Sequence, residues 1–508
     1  MFYKNSRKKS IAWVVLHIVA IVLVSVTVLS GFRIATLNHD WLFFLSSLLP
    51  QGEVHIFHIY SGVVLFCLLV TYMVFDSLHV AKKTPFVWFL FLSASSGMLL
   101  LFDTDMKNLL YIHYLFGIGS VLYITFHAFR YFIFDGIGVF AKILSVSKTT
   151  KKDITTLVFM LCISVLAVYT LKDYGYHKLY VKHIQKGIDV DGLLDEEAWS
   201  GAKALKIYGY GGANLDGGGS EITIKALTTD DDIFFSFTWR DPSKDISFMP
   251  IEKTKKGWKV VEDGFYNFDE KTYYEDKFAV ILSHDNELSA SRSTHMGEKP
   301  LKDKPQNFHS KGYHYTDSKI IDMWHWKALR TNEMKLLDDE FISSPFEVYT
   351  GKRRYCAGIM ADPKTSGGYR MNWMWYKKDG IVPRRLPLHD SDLMALNEAN
   401  LTLPYRANWY DYQAYSLPLD HYKVKTRIPS AIYVTNGIEG DRADVRAYAT
   451  YKDGFWHLEV SRSLDTHSKY DVIIDNKTYI WVAVFDHAQI AHTRHSLPIK
   501  LVFGEGDE

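Results

Sequence analysis

The chain has 508 residues, 48% hydrophobic, 15% aromatic and 23% charged, with only 14 prolines, which is mass for two or three folded domains and too apolar for a disordered scaffold. Its net charge of +1 conceals two halves: residues 1–172 carry 14 Lys and Arg against 7 Asp and Glu, and the remainder carries 44 against 50. Neither half is a basic nucleic-acid surface, no glycine loop is spaced to cradle phosphate, and three distant cysteines (Cys67, Cys162, Cys356) argue against a disulfide framework, a four-cysteine zinc site and an iron–sulfur cluster.

Five stretches are apolar and long enough to cross roughly 30 Å of hydrocarbon: 11–30, 56–75, 86–102, 109–134 and 154–171. The first lacks a small-residue cleavage site and is read as a retained helix, not a signal peptide. Eleven Lys and Arg fall on the side of the N-terminus and only three (Arg33, Lys107, Lys172) on the other, so the positive-inside rule places the N-terminus in the cytoplasm. Residues 1–153 read as an all-α transmembrane bundle in the inner membrane and 154–172 as a tether helix. Residues 173–508 then emerge on the periplasmic side.

Ionisable side chains inside hydrocarbon are costly and need partners, and the bundle holds His17, His55, His58, His113 and His127 in or at the edge of its helices. His113 and His127 are 14 residues apart, so both project from nearly one helix face, about 21 Å apart along the axis. Depth pairs His17 with His127 on the cytoplasmic side, and His58 or His55 with His113 on the periplasmic side. Each pair can supply the two axial imidazoles of haem b, which needs no cysteine attachment. His58 is preferred over His55 because Gly62 follows one turn later and lets a flat macrocycle approach. Residues 11–135 resemble the four-helix di-haem cytochrome b family that includes the membrane subunits of formate dehydrogenase and nickel–iron hydrogenase. That resemblance implies electron transfer between a quinone pool and a partner.

Beyond residue 173 the pattern becomes short alternating runs. Ile222–Leu227, a Thr-Thr-Asp-Asp-Asp turn and Ile233–Trp239 read as strand, turn, strand; Trp456–Val460 and Thr478–Phe485 read as a similar closing pair, followed by Leu497–Phe503. A mostly antiparallel β-sandwich fits, with residues 284–430 as long loops that carry function. His487, His492 and His495 read as strand-edge surface residues in preference to metal ligands.

The Ile188–Trp199 segment, the Ile222–Trp239 hairpin, Asp322–Ala328 and Arg462–Leu464 resemble the haem-binding sandwich of the ethylbenzene dehydrogenase gamma subunit. Where some members of that group attach haem through Cys-x-x-Cys-His, this chain has Ser291 to His295 without a cysteine, so any haem there is held non-covalently. His295 and His325 are the candidate iron ligands, with Met323, Lys327 and Met296 as alternates. The combined reading is a membrane-bound electron-transfer cytochrome that exchanges electrons with a periplasmic redox protein or oxidoreductase subunit. The alternatives are a terminal reductase with its substrate site in the periplasmic domain, and a ligand-binding module without haem of its own.

Overall fold

The structure, a computed structural model, describes residues 10–38, 42, 45, 48–50, 54–75, 86–102, 107–136, 138, 143–144, 149–171, 176–262, 272–284, 320–346, 357–375, 380–389, 406–489, 491–495 and 497–504. The chain divides into two compact units, Met1–Tyr176 and His177–Glu508.

The first unit is helical: α1 (Ile11–Asn38), α2 (Val54–Phe75), α3 (Phe86–Phe102), α4 (Lys107–Asp135) and α5 (Lys151–Leu171). None contains proline, so each runs without a missing backbone donor. Four are long and apolar enough to cross a membrane; α3, at 17 residues, rises about 26 Å. The side chains of Leu115, Leu122, Phe126 and Phe129 on α4 are exposed, as suits a lipid-facing surface and not a water-facing one. At the start of α5, Thr150 and Asp153 cap one another: the Asp153 N–H donates to Thr150 Oγ1 (3.2 Å) and the Thr150 N–H to Asp153 Oδ2 (2.8 Å). The Ala12 N–H also donates to Asp153 Oδ1 (3.4 Å), so α1 and α5 begin at the same end of the bundle. Helix α1 packs on α2 and α5, α2 on α3, and α3 on α4.

The second unit is built on a twelve-stranded sheet: β1 (His177–His183), β2 (Leu205–Tyr210), β3 (Gly219–Thr228), β4 (Asp232–Arg240), β5 (Lys277–Ser283), β6 (Ile321–Lys327), β7 (Asp338–Phe346), β8 (Ala357–Ala361), β9 (Arg446–Lys452), β10 (Phe455–Ser463), β11 (Tyr479–Phe485) and β12 (Ile499–Phe503). Their order is β8-β7-β6-β5-β11-β12-β1-β3-β4-β10-β9, with β2 beside the first half of β3. Every pairing is antiparallel except those of β1, which lies parallel to both β12 and β3. The two ends of this sheet face each other across one core. Phe237 and Trp239 of β4 lie against Phe278 of β5, both pairs of ring centroids 4.7 Å apart, and Trp239 meets Trp326 of β6 at 5.8 Å. A second core, around Phe248, Trp258, Ile381 and Ile428, holds smaller sheets.

The expected hairpin of β3 and β4 is present in register, Ile222 opposite Trp239 and Thr228 opposite Ile233. Two expectations are corrected. The runs 456–460 and 478–485 do not pair with each other; β10 joins β4 and β9, while β11 joins β5 and β12. Nor is 284–430 simply loop, since its described part forms β6, β7, β8 and several strands of the smaller sheets. Buried charges explain the misreading: Asp322, Lys327, Asp338 and Asp339 interrupt the apolar alternation that marks a strand.

The Ile188–Trp199 segment is a structural latch. The Glu459 carboxylate on β10 accepts the backbone N–H groups of Asp191 (2.9 Å) and Gly192 (2.8 Å) and the indole N–H of Trp199 (2.8 Å). Gly192 has φ +75°, and a Cβ there would come within 3.0 Å of the Thr450 backbone nitrogen, so only glycine closes this turn without strain.

Candidate functional site

The bundle brings His58 and His113 together. His58 stands near the start of α2 and His113 near the start of α4; their ring centroids are 6.0 Å apart with planes at 82°. Both rings are oriented alike through Nδ1. His58 Nδ1 lies 2.9 Å from the Thr27 carbonyl and 3.3 Å from Ser30 Oγ on α1, and His113 Nδ1 lies 2.9 Å from the Ser93 carbonyl and 3.1 Å from Ser96 Oγ on α3. A carbonyl only accepts, so the proton of each neutral imidazole sits on Nδ1 and the lone pair on Nε2.

Glycines make room for this arrangement. A Cβ at Gly31 would come within 2.9 Å of His58 Cε1, and one at Gly97 within 2.9 Å of His113 Cε1. Gly62 and Gly117 each follow a histidine by four residues, and a Cβ at either would meet nothing within 4 Å. With Nδ1 carrying the proton, each ring has its Nε2 lone pair free to hold a metal ion.

The remaining sequence candidates divide. The ring of His17 stacks on Trp13 one turn away on α1 (4.7 Å, 13°), and His127 Nδ1 lies 3.0 Å from the Tyr123 hydroxyl, with Tyr131 on its other side; these contacts are within their own helices. His55 belongs to α2, but its side chain is outside the described residues, and His295 and Met296 lie outside them altogether. Thr27, Ser30, Gly31, Ser93, Ser96 and Gly97 were not singled out from the sequence. The signal was available, since Thr/Ser-x-x-Ser-Gly occurs once on α1 and once on α3.

In the second unit, strand alternation sends Met323, His325 and Lys327 to the face of β6 opposite the Asp322, Trp324 and Trp326 side chains. His325 Nδ1 lies 3.6 Å from Glu340 Oε2, and its Nε2 is buried without a hydrogen-bond partner among the described residues. Burial, reinforced by the Lys327 charge, pushes the His325 imidazole down to about 3, so it is neutral. Lys327 is held by Asp338 and Glu340 (3.2 Å), which outweigh burial and keep it an ammonium with no lone pair to offer. Lys277, opposite Lys327 on β5, escaped the sequence reading; burial and the neighbouring Arg330 and Lys327 push its amine well below the ordinary range, and it donates to the Gln489 carbonyl (2.7 Å).

His487, His492 and His495 do not converge. His487 pairs with Asp486 and Asp245, and His492 Nδ1 meets the Thr493 carbonyl. His495 is buried, contrary to the surface position expected of it.

A protein-family model described as ethylbenzene dehydrogenase matches residues 196–496. Among solved structures, a family 9 carbohydrate-binding module from Caldicellulosiruptor kristjanssonii in complex with glucose is similar at 7% identity and a TM-score of 0.25, over 65% of this chain and 98% of that one. The same organism's module in complex with cellotriose is similar at 8% identity and a TM-score of 0.24, over 65% and 95%. A comparison with curated proteins returns no match.

Proposed function

Because the chain belongs to the ethylbenzene dehydrogenase family, whose model covers more than half of it, we propose that it is a membrane-bound b-type cytochrome. It carries electrons between the quinone pool and a periplasmic redox partner, with its N-terminus in the cytoplasm of the cell. Haem iron supplies the one-electron chemistry; the protein supplies ligation, burial and access. His58 and His113 hold one haem near the C-terminal end of α1, and His17 and His127 hold the other toward its N-terminal end.

The single observation that carries this reading is the facing pair of His58 and His113, each fixed through Nδ1 and each beside a glycine that admits its ring. A structural histidine pair has no need of two such matched seats. In the second unit, His325 is the preferred ligand of a third, non-covalent haem, because its buried neutral imidazole keeps Nε2 unpaired among the described residues.

The test is His113→Ala in the membrane-bound protein, with haem content measured by pyridine haemochrome and potentials by redox titration. One low-spin centre should disappear and the other should keep its potential. Retention of every centre at unchanged potential would refute the assignment.

A further inference from the structure

Two groups of buried acids lie among the described residues of the second unit, and they differ in how many oxygens are left over. Around Asp276, Oδ2 accepts the Asp245 N–H (2.7 Å) and the Trp456 indole N–H (3.1 Å), while Oδ1 accepts the His487 N–H (3.0 Å) and the His487 ring pairs with Asp245 and Asp486. That group leaves one buried carboxylate oxygen, Asp486 Oδ2, without a partner among the described residues.

The second group is different. Asp322 of β6, Asp339 of β7 and Asp471 of the β10–β11 connection present oxygens that all lie within 4.8 Å of one another, and Asp362, just after β8, has its carboxyl beside that of Asp471. Asp322 Oδ2 accepts from Arg462 and from the Val472 N–H (3.1 Å), and Asp471 Oδ2 from the Thr466 hydroxyl. Six oxygens are then buried without a hydrogen-bond partner among the described residues: Asp322 Oδ1, Asp471 Oδ1 and both of Asp339 and of Asp362. Asp339 is 0% exposed and Asp362 3%, so water does not replace the missing partners.

We propose that Asp322, Asp339, Asp362 and Asp471 form a calcium site. The Arg462 guanidinium pairs with Asp322 and Asp471, and buried negative charge in excess of its counter-charge is strongly unfavourable. The donor set is all oxygen, which selects a hard cation over zinc or copper. Asp322, Asp339 and Asp471 bring one oxygen each within ligand spacing, with Asp362 beside Asp471, a start on the six to eight oxygens that Ca²⁺ takes at 2.3–2.6 Å, whereas Mg²⁺ retains several waters and is seldom held in an all-protein cage. Two ligands on opposite sides of Ca²⁺ stand about 5 Å apart at most, a span that the 4.8 Å cluster respects. Bound there, the ion ties β6, β7 and the end of β8 to a connection more than a hundred residues further along the chain.

The experiment uses the full-length protein in detergent, stripped with EGTA and returned to CaCl₂ or MgCl₂. Calcium bound per chain is measured by elemental analysis, and melting is followed with each ion. The proposal expects Ca²⁺ to bind and raise Tm, Mg²⁺ at the same concentration to do neither, and Tb³⁺ to luminesce on excitation of tryptophan, because Trp324 shares the face of Asp322 and Asp339. Asp339→Asn and Asp362→Asn should each weaken Ca²⁺ binding at least tenfold. Calcium that stays at full stoichiometry and affinity in both variants, equal stabilisation by Mg²⁺, or a wild-type chain that neither retains nor responds to Ca²⁺ would each overturn it. Should Asp339→Asn fail to fold, Asp362→Asn and the wild-type stoichiometry decide.

Discussion

His495 has to stay neutral for its two hydrogen bonds to exist. Its Nε2 accepts the Val482 N–H (3.0 Å) on β11, and its Nδ1 donates to the Leu497 carbonyl (2.8 Å) on the approach to β12. Burial, helped by the nearby His177, holds the imidazole down at about 3. An unfolded histidine titrates near 6.5. The folded pKa is the lower one, so this contribution is complete above 6.5 and drains away as pH falls toward 3, at about 1.4 kcal/mol per unit. His495→Gln keeps an acceptor without the titration. In melts of wild type and variant, the stability advantage of wild type should be about 2 kcal/mol smaller at pH 5 than at pH 7; a constant difference would count against the neutral assignment. Residues of this kind are hard to read in a sequence, because burial is set by strands far apart in the chain. Glu459 is a stronger case, since its latch lies some 260 residues away.

Among elements, α1–α2 and α3–α4 repeat one device: a histidine near the start of the second helix seats its ring on a Thr/Ser-x-x-Ser-Gly turn of the first. The carbonyl that accepts Nδ1–H makes the imidazole a more basic ligand. Gly97→Ala, whose Cβ would stand 2.9 Å from His113 Cε1, should push the ring off the Ser93 carbonyl. On the proposed haem ligation, loss of about 1 kcal/mol of hydrogen bonding corresponds to roughly 40 mV in a one-electron couple, and the midpoint of that centre should rise by that order. The other midpoint should not move, and a titration in which neither moves would separate the glycine from the haem seat. The helices and the hairpin of β3 and β4 were legible because their apolar periodicity is uninterrupted. Strands β6 and β7 were not, because Lys327, Asp338 and Asp339 are buried there as charges and look, in sequence, like loop.

At the scale of the whole molecule, period and charge sign place a change from helix to strand at residue 173, the two compact units divide after Tyr176, and the family match falls wholly on the later unit. Helices α1 and α5 begin at one end of the bundle, as the proposed five crossings require. The proposed orientation follows the positive-inside rule. A reporter active only in the periplasm should be active when fused after residue 180 and silent in the 141–153 segment; the reverse pattern would invert the orientation.

Strand β1 follows the last helix almost at once, yet its neighbours are β3 and β12, with Val181 opposite both Ala226 and Phe503. The first strand to be synthesised after the bundle is therefore completed by the last. A ribosome that has delivered 490 residues has still not delivered the partner of residues 177–181, and the edge left waiting is an unpaired strand of the kind that recruits the wrong neighbour. The seam of this sheet closes only when its last strand arrives, and a stop codon a dozen residues early would leave it open.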